Sequence, residues 1–300
     1  MPHTLRLLPL ALACTLLSTS AMAAEPTGTL KKIRDSGTIV LGHRDSAIPF
    51  AYLAGGKQPV GYSLDLAQHV VDAVKKELNM PNLKVRYNMV TGQTRIPLLQ
   101  NGTVDIECGA TTNNVERQRQ VDFSVGIFEI GTRLLVKKDS GIKDFADLKG
   151  KNVVVSAGTT GERLMRIMNA NQKLGMNIVA AKDNGESFLM LESGRVAAFM
   201  TDDAMLYGER AKARNPAEWV VVGKPQSSEI YGCMMRKGDA PFKALVDKAI
   251  VNTYKSGQIN AIYDKWFMRP IPPKNLNLGF PMSPEFKALI AKPSDKPAAS

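Results

Sequence analysis

Histidine and cysteine are scarce in this chain, three of each in 300 residues. The histidines (His3, His43 and His69) are scattered and no Cys-x-x-Cys pair occurs. A structural metal site built from nitrogen and sulfur ligands is therefore not expected, and no cofactor is expected either. The sequence has no Gly-x-Ser-x-Gly elbow, no P-loop and no His-Glu-x-x-His helix, which removes the common signatures of serine hydrolases, nucleotide hydrolases and zinc proteases. The longest apolar run, Leu7 to Leu17, is too short and too broken to span a bilayer, which takes about 20 residues. Basic residues outnumber acidic ones, 39 to 28, for a net charge of +11. They are spread out, with only short pairs such as Lys31-Lys32, Lys75-Lys76 and Lys137-Lys138. Without a basic stripe interleaved with aromatics, nucleic acid is not an expected partner. A positive mean potential still favours anionic ligands.

The first 23 residues have the grammar of a secretory signal. Arg6 supplies a positive start, the apolar run follows, and Ala21-Met22-Ala23 is an A-x-A site, with cleavage expected after Ala23. Acylation of Cys14 is the weaker reading, because Ala11 stands where a lipoprotein signal usually has leucine. The remaining chain, exported by this reading, is of ordinary globular composition. It keeps two cysteines, Cys108 and Cys233, which are either a disulfide in an oxidising compartment or two buried free thiols.

Strand-like and helix-like segments alternate twice. Thr38 to Gly42, Leu83 to Val90 and Val104 to Cys108 read as strands. Between them lie helical patterns at Leu64 to Leu78 and Thr94 to Gln100. The same order recurs as strands at Lys151 to Val155, Asn177 to Ala181 and Arg195 to Thr201, with helices at Gly161 to Ala170 and Glu186 to Glu192. Leu99-Gln-Asn-Gly102-Thr-Val104-Asp echoes Leu191-Glu-Ser-Gly194-Arg-Val196-Ala, each a helix end, a glycine stop and the next strand. The pattern predicts an α/β protein of two similar lobes with mainly parallel sheets. Ile127 to Lys138 reads as a crossover into the second lobe, and Tyr231 to Arg236 returns to the first. Lobe 1 is expected to comprise residues 24–130 plus 227–300 and lobe 2 residues 131–226, with a ligand cleft between them.

The most informative stretch is Cys108-Gly109-Ala110-Thr111-Thr112-Asn113-Asn114-Val115-Glu116-Arg117. A strand ends in small and hydroxyl residues. A helix then starts, with Asn113 and Glu116 in capping-box spacing and Arg117 in its first turn. Backbone N–H groups, hydroxyls and a guanidinium at such a junction suit a carboxylate. Arg44 and Arg95 also follow strands, and loops at the carboxyl ends of parallel strands gather at one edge. The three arginines are thus expected to face Thr160 and Asp202 across the cleft. Several cations and one carboxylate match a molecule bearing two carboxylates and an ammonium. Asp202-Asp203 also admits a bland reading as a helix cap.

The chain resembles the periplasmic solute-binding proteins of polar amino-acid ABC importers, in particular the glutamate/aspartate-binding branch. The resemblance is carried by Gly42-His43-Arg44, Val60-Gly61-Tyr62-Ser63, the run Arg95 to Gly102, the run Glu107 to Arg117, Asp202-Asp203-Ala204 and Tyr231-Gly232-Cys233. It implies a type II periplasmic-binding-protein fold with two hinge segments, working as a monomer in the periplasm with an ABC permease and its cytoplasmic ATPase. By similarity Arg117 and Thr112 take the α-carboxylate, Asp202 the α-ammonium, and Arg44 and Arg95 the side-chain carboxylate of L-glutamate or L-aspartate, while Thr160 helps from lobe 2. The branch typically has serine at Gly92, serine at Ala110 and histidine at Asn184. These departures, around the same pocket, remove up to three hydrogen-bonding side chains worth about 1 kcal/mol each and leave the arginines. The smaller Gly92 and Ala110 are expected to enlarge the pocket. A receptor for another dicarboxylate or polar amino acid is one alternative. Another is a dehydratase on the same scaffold using Asp202, Asp203 or Glu107 as acid.

Overall fold

A computed structural model describes residues 25–297. The expected signal peptide and its cleavage site lie outside the described residues. Two five-stranded sheets organise the chain. In the first, the strands run Lys84–Met89, Thr38–His43, Ile106–Glu107, Met234–Arg236 and Val121–Phe123 from edge to edge. In the second, the order is Asn177–Ala181, Asn152–Ser156, Ala198–Asp202, Thr132–Lys137 and Trp219–Val222. The first three strands of each sheet are parallel and the fourth is antiparallel to both neighbours. The seven-residue echo falls at equivalent places in the two sheets. Gly102 and Gly194, both in the left-handed region (φ 79° and 74°), follow the helices Arg95–Gln100 and Asn184–Glu192 and lead into each sheet's third strand.

Strand periodicity explains why both sheets are covered on both faces. Val153 and Val155 point into one apolar cluster with Leu134, Val136 and Met200, while Val154, Leu135 and Phe199 point into the opposite one. In the first sheet Met234 joins Val90, Leu99 and Phe123 on one side, and Met235 joins the larger cluster on the other. Near-continuous apolar runs in these strands are what two-sided burial requires.

The expected crossover strand over residues 127–138 is two strands, Phe128–Ile130 and Thr132–Lys137. Phe128–Ile130 pairs antiparallel with Glu229–Tyr231 in a two-stranded ribbon where the chain passes out to the second sheet and back. The ribbon is anchored in an aromatic cluster. The Phe128 ring lies 4.8 Å from Phe50 and 4.9 Å from Phe267, and the Tyr62 hydroxyl donates to the Ile127 carbonyl at 2.7 Å. The expected strand Val104 to Cys108 is only Ile106–Glu107, because the Asp105 carboxylate takes the Val40 N–H of the neighbouring strand at 2.9 Å in place of a backbone carbonyl. Asp105 ties Lys32 and Arg236, and Cys108 is bonded to Cys233. That disulfide joins two neighbouring strands of the first sheet and resolves the open choice in favour of the bridge.

Candidate functional site

Each arginine singled out above sits at the carboxyl end of a parallel strand of the first sheet. Arg44 follows Thr38–His43, Arg95 opens the helix after Lys84–Met89, and Arg117 follows Ile106–Glu107 in the short helix Val115–Gln118. From the second sheet, Thr160 opens the helix Thr160–Gln172 after Asn152–Ser156, and Asp202 ends Ala198–Asp202. All five are buried or nearly so. The structure brings Arg117, Thr112, Thr160 and Asp202 to the seam between the sheets, with Arg44 and Arg95 packed behind them in the first lobe.

The capping geometry differs from the sequence expectation by one residue. Asn114, rather than Asn113, is the N-cap, its side chain accepting from the Arg117 N–H at 2.9 Å. The helix is a single turn, because residue 121 already begins the next strand. A helix of one turn offers little terminal dipole, and the Arg117 guanidinium is the group that reaches the seam. Arg117 donates to the Thr112 carbonyl at 2.9 Å and, across the seam, to the Gly158 carbonyl at 3.4 Å. Thr159 caps the second-lobe helix as expected, accepting from Glu162 N–H at 3.1 Å, but the Glu162 side chain accepts from Gly158 N–H rather than closing a box on Thr159.

Arg95 is fully buried and donates to the Ala110 carbonyl at 3.2 Å and to the Thr111 hydroxyl. Ala110 thus contributes backbone. The Arg95 Nε and the Arg44 Nη2 are buried without a partner. Burial lowers the pKa of all three arginines, that of Arg95 to about 9, where Arg117 adds to the effect. They stay charged at neutral pH, and a buried guanidinium with free donors is stabilised by an anion. Burial, with the nearby Glu229 carboxylate, pushes Asp202 up to about 8, against a hydrogen bond from the Tyr231 hydroxyl. Asp202 occupies the N-cap position of the helix Asp203–Lys212 without a side-chain cap bond, while the Asp203 carboxylate accepts from the Ala204 N–H at 2.7 Å, so the bland cap reading is met by position and by Asp203 but not by the Asp202 side chain.

Two residues to which the sequence analysis gives no site role, Glu229 and Tyr231, complete the seam. They are two apart on one hinge strand and therefore share a face. The Glu229 Oε2 accepts from the hydroxyls of Thr112 and Thr160, which are themselves 3.3 Å apart, and Oε1 accepts from Ser227 at 2.9 Å. Residues 111–113 are held by this strand. Asn113 N–H donates to the Ile230 carbonyl at 2.7 Å and Gly232 N–H to that of Thr111 at 3.1 Å. An acidic residue inside an apolar, cysteine-containing return strand was the available signal.

Two of the departures behave unlike their expectation. Asn184 is buried, but its side chain accepts from the Ser156 hydroxyl at 2.6 Å and faces Met205 with its amide nitrogen. It is engaged within the second lobe. Gly92 does not enlarge the pocket. A Cβ there would lie 2.3 Å from the Ala157 carbonyl oxygen, so the space a side chain would fill is taken by the opposite lobe. Two cavities of about 230 and 190 Å³ reach the seam, both lined by Asn114, Thr160 and Arg163, the first also by Thr112 and Glu229 and the second by Arg117 and Gly158. A larger cavity of about 700 Å³, lined by Lys137, Glu192 and Trp219 among others, includes none of the predicted site residues.

The family described as bacterial extracellular solute-binding proteins, family 3, matches residues 39–269. The chain is 70% identical over 294 residues to the L-glutamate/L-aspartate-binding protein of Pseudomonas aeruginosa, covering 97% of both chains. It is 55% identical over 290 residues to the glutamate/aspartate import solute-binding protein of Escherichia coli, covering 97% of this chain and 96% of that one. Among solved structures, an ancestral arginine-binding protein bound to arginine superposes with a TM-score of 0.70 at 33% identity, over 77% of this chain and 98% of that one.

Proposed function

The chain belongs to the bacterial extracellular solute-binding proteins of family 3 and has their two-lobed type II fold, and from that premise we propose that it is the receptor of an acidic amino-acid importer. It binds L-glutamate or L-aspartate between its lobes and delivers the ligand, chemically unchanged, to an ABC permease with a cytoplasmic ATPase. It works as a monomer in the periplasm after cleavage behind Ala23. Lobe 1 is 24–130 plus 227–300 and lobe 2 is 131–226, a division supported by the membership of the two sheets.

The observation that carries the ligand class is the set of three buried arginines at the strand ends of one lobe, facing the buried Asp202 of the other. Arg117 and Thr112 take the α-carboxylate and Asp202 the α-ammonium. The free donors of Arg44 and Arg95 take the side-chain carboxylate, with the Ala110 backbone and Thr160 closing the site. Asn184, turned to the core by Ser156 and Met205, takes no ligand contact. The cationic side chain of arginine, bound by the structural relative, is opposed by the charge of Arg44 and Arg95.

Protein refolded from denaturant and screened by thermal shift tests this reading. L-Glutamate or L-aspartate at about 1,000 times the dissociation constant adds about 4 kcal/mol and raises the melting temperature by several degrees, more than L-glutamine or L-asparagine. Arg117→Ala should lose about 10- to 100-fold in affinity, the value of a charge-assisted hydrogen bond. Arg95→Ala should weaken acidic ligands more than amides. No shift with either acidic amino acid would overturn the ligand assignment.

A further inference from the structure

Glu107 is a fully buried carboxylate that the binding scheme above leaves without a role. It ends the central strand Ile106–Glu107, registered against Gly42 on one side and Met234 on the other. Its Oε2 accepts from the Thr111 hydroxyl at 2.8 Å, and that hydroxyl in turn accepts from Arg95. A guanidinium only donates and a carboxylate only accepts, so the direction of this relay is fixed. The Oε1 has no partner. It occupies a slot that exists because two neighbours are glycine. A Cβ at Gly109 would lie 2.2 Å from Oε1, and one at Gly42 would lie 3.1 Å from the Glu107 Cγ. Of the acidic groups around Arg44 and Arg95, Glu107 is the one acting most strongly on each. Arg44 Nη2 and Arg95 Nε, in the same neighbourhood, are likewise buried without a partner.

We infer that Glu107 is a specificity-determining residue that sets the charge of the side-chain pocket without touching ligand. The Glu107 carboxylate, with Asp183 also acting on Arg44, leaves the two guanidiniums a smaller net positive charge than they carry alone, so the pocket is matched to a ligand group carrying one negative charge and disfavours one carrying two. This rests on the assignment of Arg44 and Arg95 to the ligand side chain. A purely structural Glu107 would weaken every ligand alike when altered, whereas a charge-setting one changes the ratio between ligands that differ in charge and not in shape.

L-Cysteate and L-2-amino-3-phosphonopropionate provide that comparison. Their tetrahedral sulfonate and phosphonate are near-isosteric and, above neutral pH, carry one and two charges. Titration calorimetry of the wild-type protein should favour the sulfonate by about tenfold or more, and Glu107→Gln should shift the ratio toward the phosphonate by about tenfold. Equal affinity of the wild type for the two, or a ratio unmoved in Glu107→Gln, would overturn the inference. If Glu107→Gln does not fold, equal affinity of the wild type for the two ligands still overturns the inference. L-Aspartate serves as the control. If it fails to bind the wild type, the ligand reading is at fault, and if it binds while the ratios stay flat, the role of Glu107 is.

Discussion

Asp202 has a carboxyl pKa raised well above its ordinary range, and the proposed ammonium contact would link that titration to ligand. Its carboxyl is surrounded by Glu229, Tyr231, Asp203 and Arg117, and its pKa of about 8 reflects burial first and the Glu229 charge second. An unfolded aspartate titrates near about 4, so the folded state holds an extra proton between those values. The corresponding stability is full below about 4 and is lost as pH rises through about 8. A ligand ammonium favours the ionised carboxylate and lowers this pKa. Binding at neutral pH should therefore expel a proton from Asp202, and affinity should rise with pH up to about 8 and then level. Calorimetry in two buffers of different ionisation enthalpy measures that proton. It should be released by the wild type and absent in Asp202→Asn, and proton uptake by the wild type would contradict the assignment. The positions of Arg44, Arg95 and Arg117 were legible in the sequence, because a strand-to-helix junction dictates which edge of a parallel sheet a residue occupies. The direction of Asn184 was not. An amide at a helix start is free to point to the cleft or the core, and the Ser156 hydroxyl and Met205 sulfur decide for the core.

At the level of elements, the disulfide and the C-terminal segment brace the strands that carry the site. Cys108 directly follows Glu107, and Cys233 directly precedes Met234, its partner across the ladder. The bridge closes a sequence separation of 125 residues. Denatured wild-type protein should show no free thiol, and the Cys108→Ser/Cys233→Ser variant should lose about 2–4 kcal/mol of stability by chemical denaturation. Past the last helix, Pro284–Ala291, the Asp295 carbonyl accepts from Asn113 at 2.7 Å and from Gln118 at 2.9 Å, and the Asp295 carboxylate pairs with Lys243 at 2.9 Å. A chain ending at residue 292 loses acceptors for two side chains flanking Arg117, at about 1 kcal/mol each. Its melting temperature and its affinity for acidic amino acids should both fall, and unchanged values would show that the segment does not position the loop. Strand–helix alternation was legible because short apolar runs such as Val153 to Val155 end in small and polar residues while helices such as Tyr62–Glu77 and Thr160–Gln172 are amphipathic. The partnership of residue 295 with residue 113 was not, since a carbonyl acceptor leaves no trace in side-chain pattern. The capping register around Asn113 and Asn114 was off by one because either asparagine can act as an N-cap, and the glutamate three residues after Asn113 favoured the box that the structure does not form.

On the scale of the whole molecule, closure depends on how near two backbones can come. Gly92 of the first lobe lies under Ala157 and Gly158 of the second. A Cβ on Gly92 would be 2.3 Å from the Ala157 oxygen, and one on Gly158 would be 2.7 Å from the Gly92 carbonyl carbon. Gly158 also has φ 72°, where side chains other than glycine are strained. This approach lets Arg117 reach the Gly158 carbonyl and brings the Thr112 and Thr160 hydroxyls to 3.3 Å over Glu229. Gly92→Ser restores the residue typical of the glutamate/aspartate-binding branch, and simple transfer of that pattern predicts tighter binding through a new hydroxyl. The geometry here predicts the reverse. The seryl Cβ must push the second-lobe loop away, because a backbone carbonyl, unlike the end of a flexible side chain, cannot step aside, and such overpacking costs about 1–3 kcal/mol. Each lobe keeps its own core, so the ligand-free melting temperature should hardly move. Affinity for the acidic ligand should fall about tenfold, and small-angle scattering of the saturated variant should give a larger radius of gyration than the saturated wild type. Tighter binding with an unchanged radius would mean that the lobes have room to re-seat around residue 92, and that closure is set elsewhere along the seam.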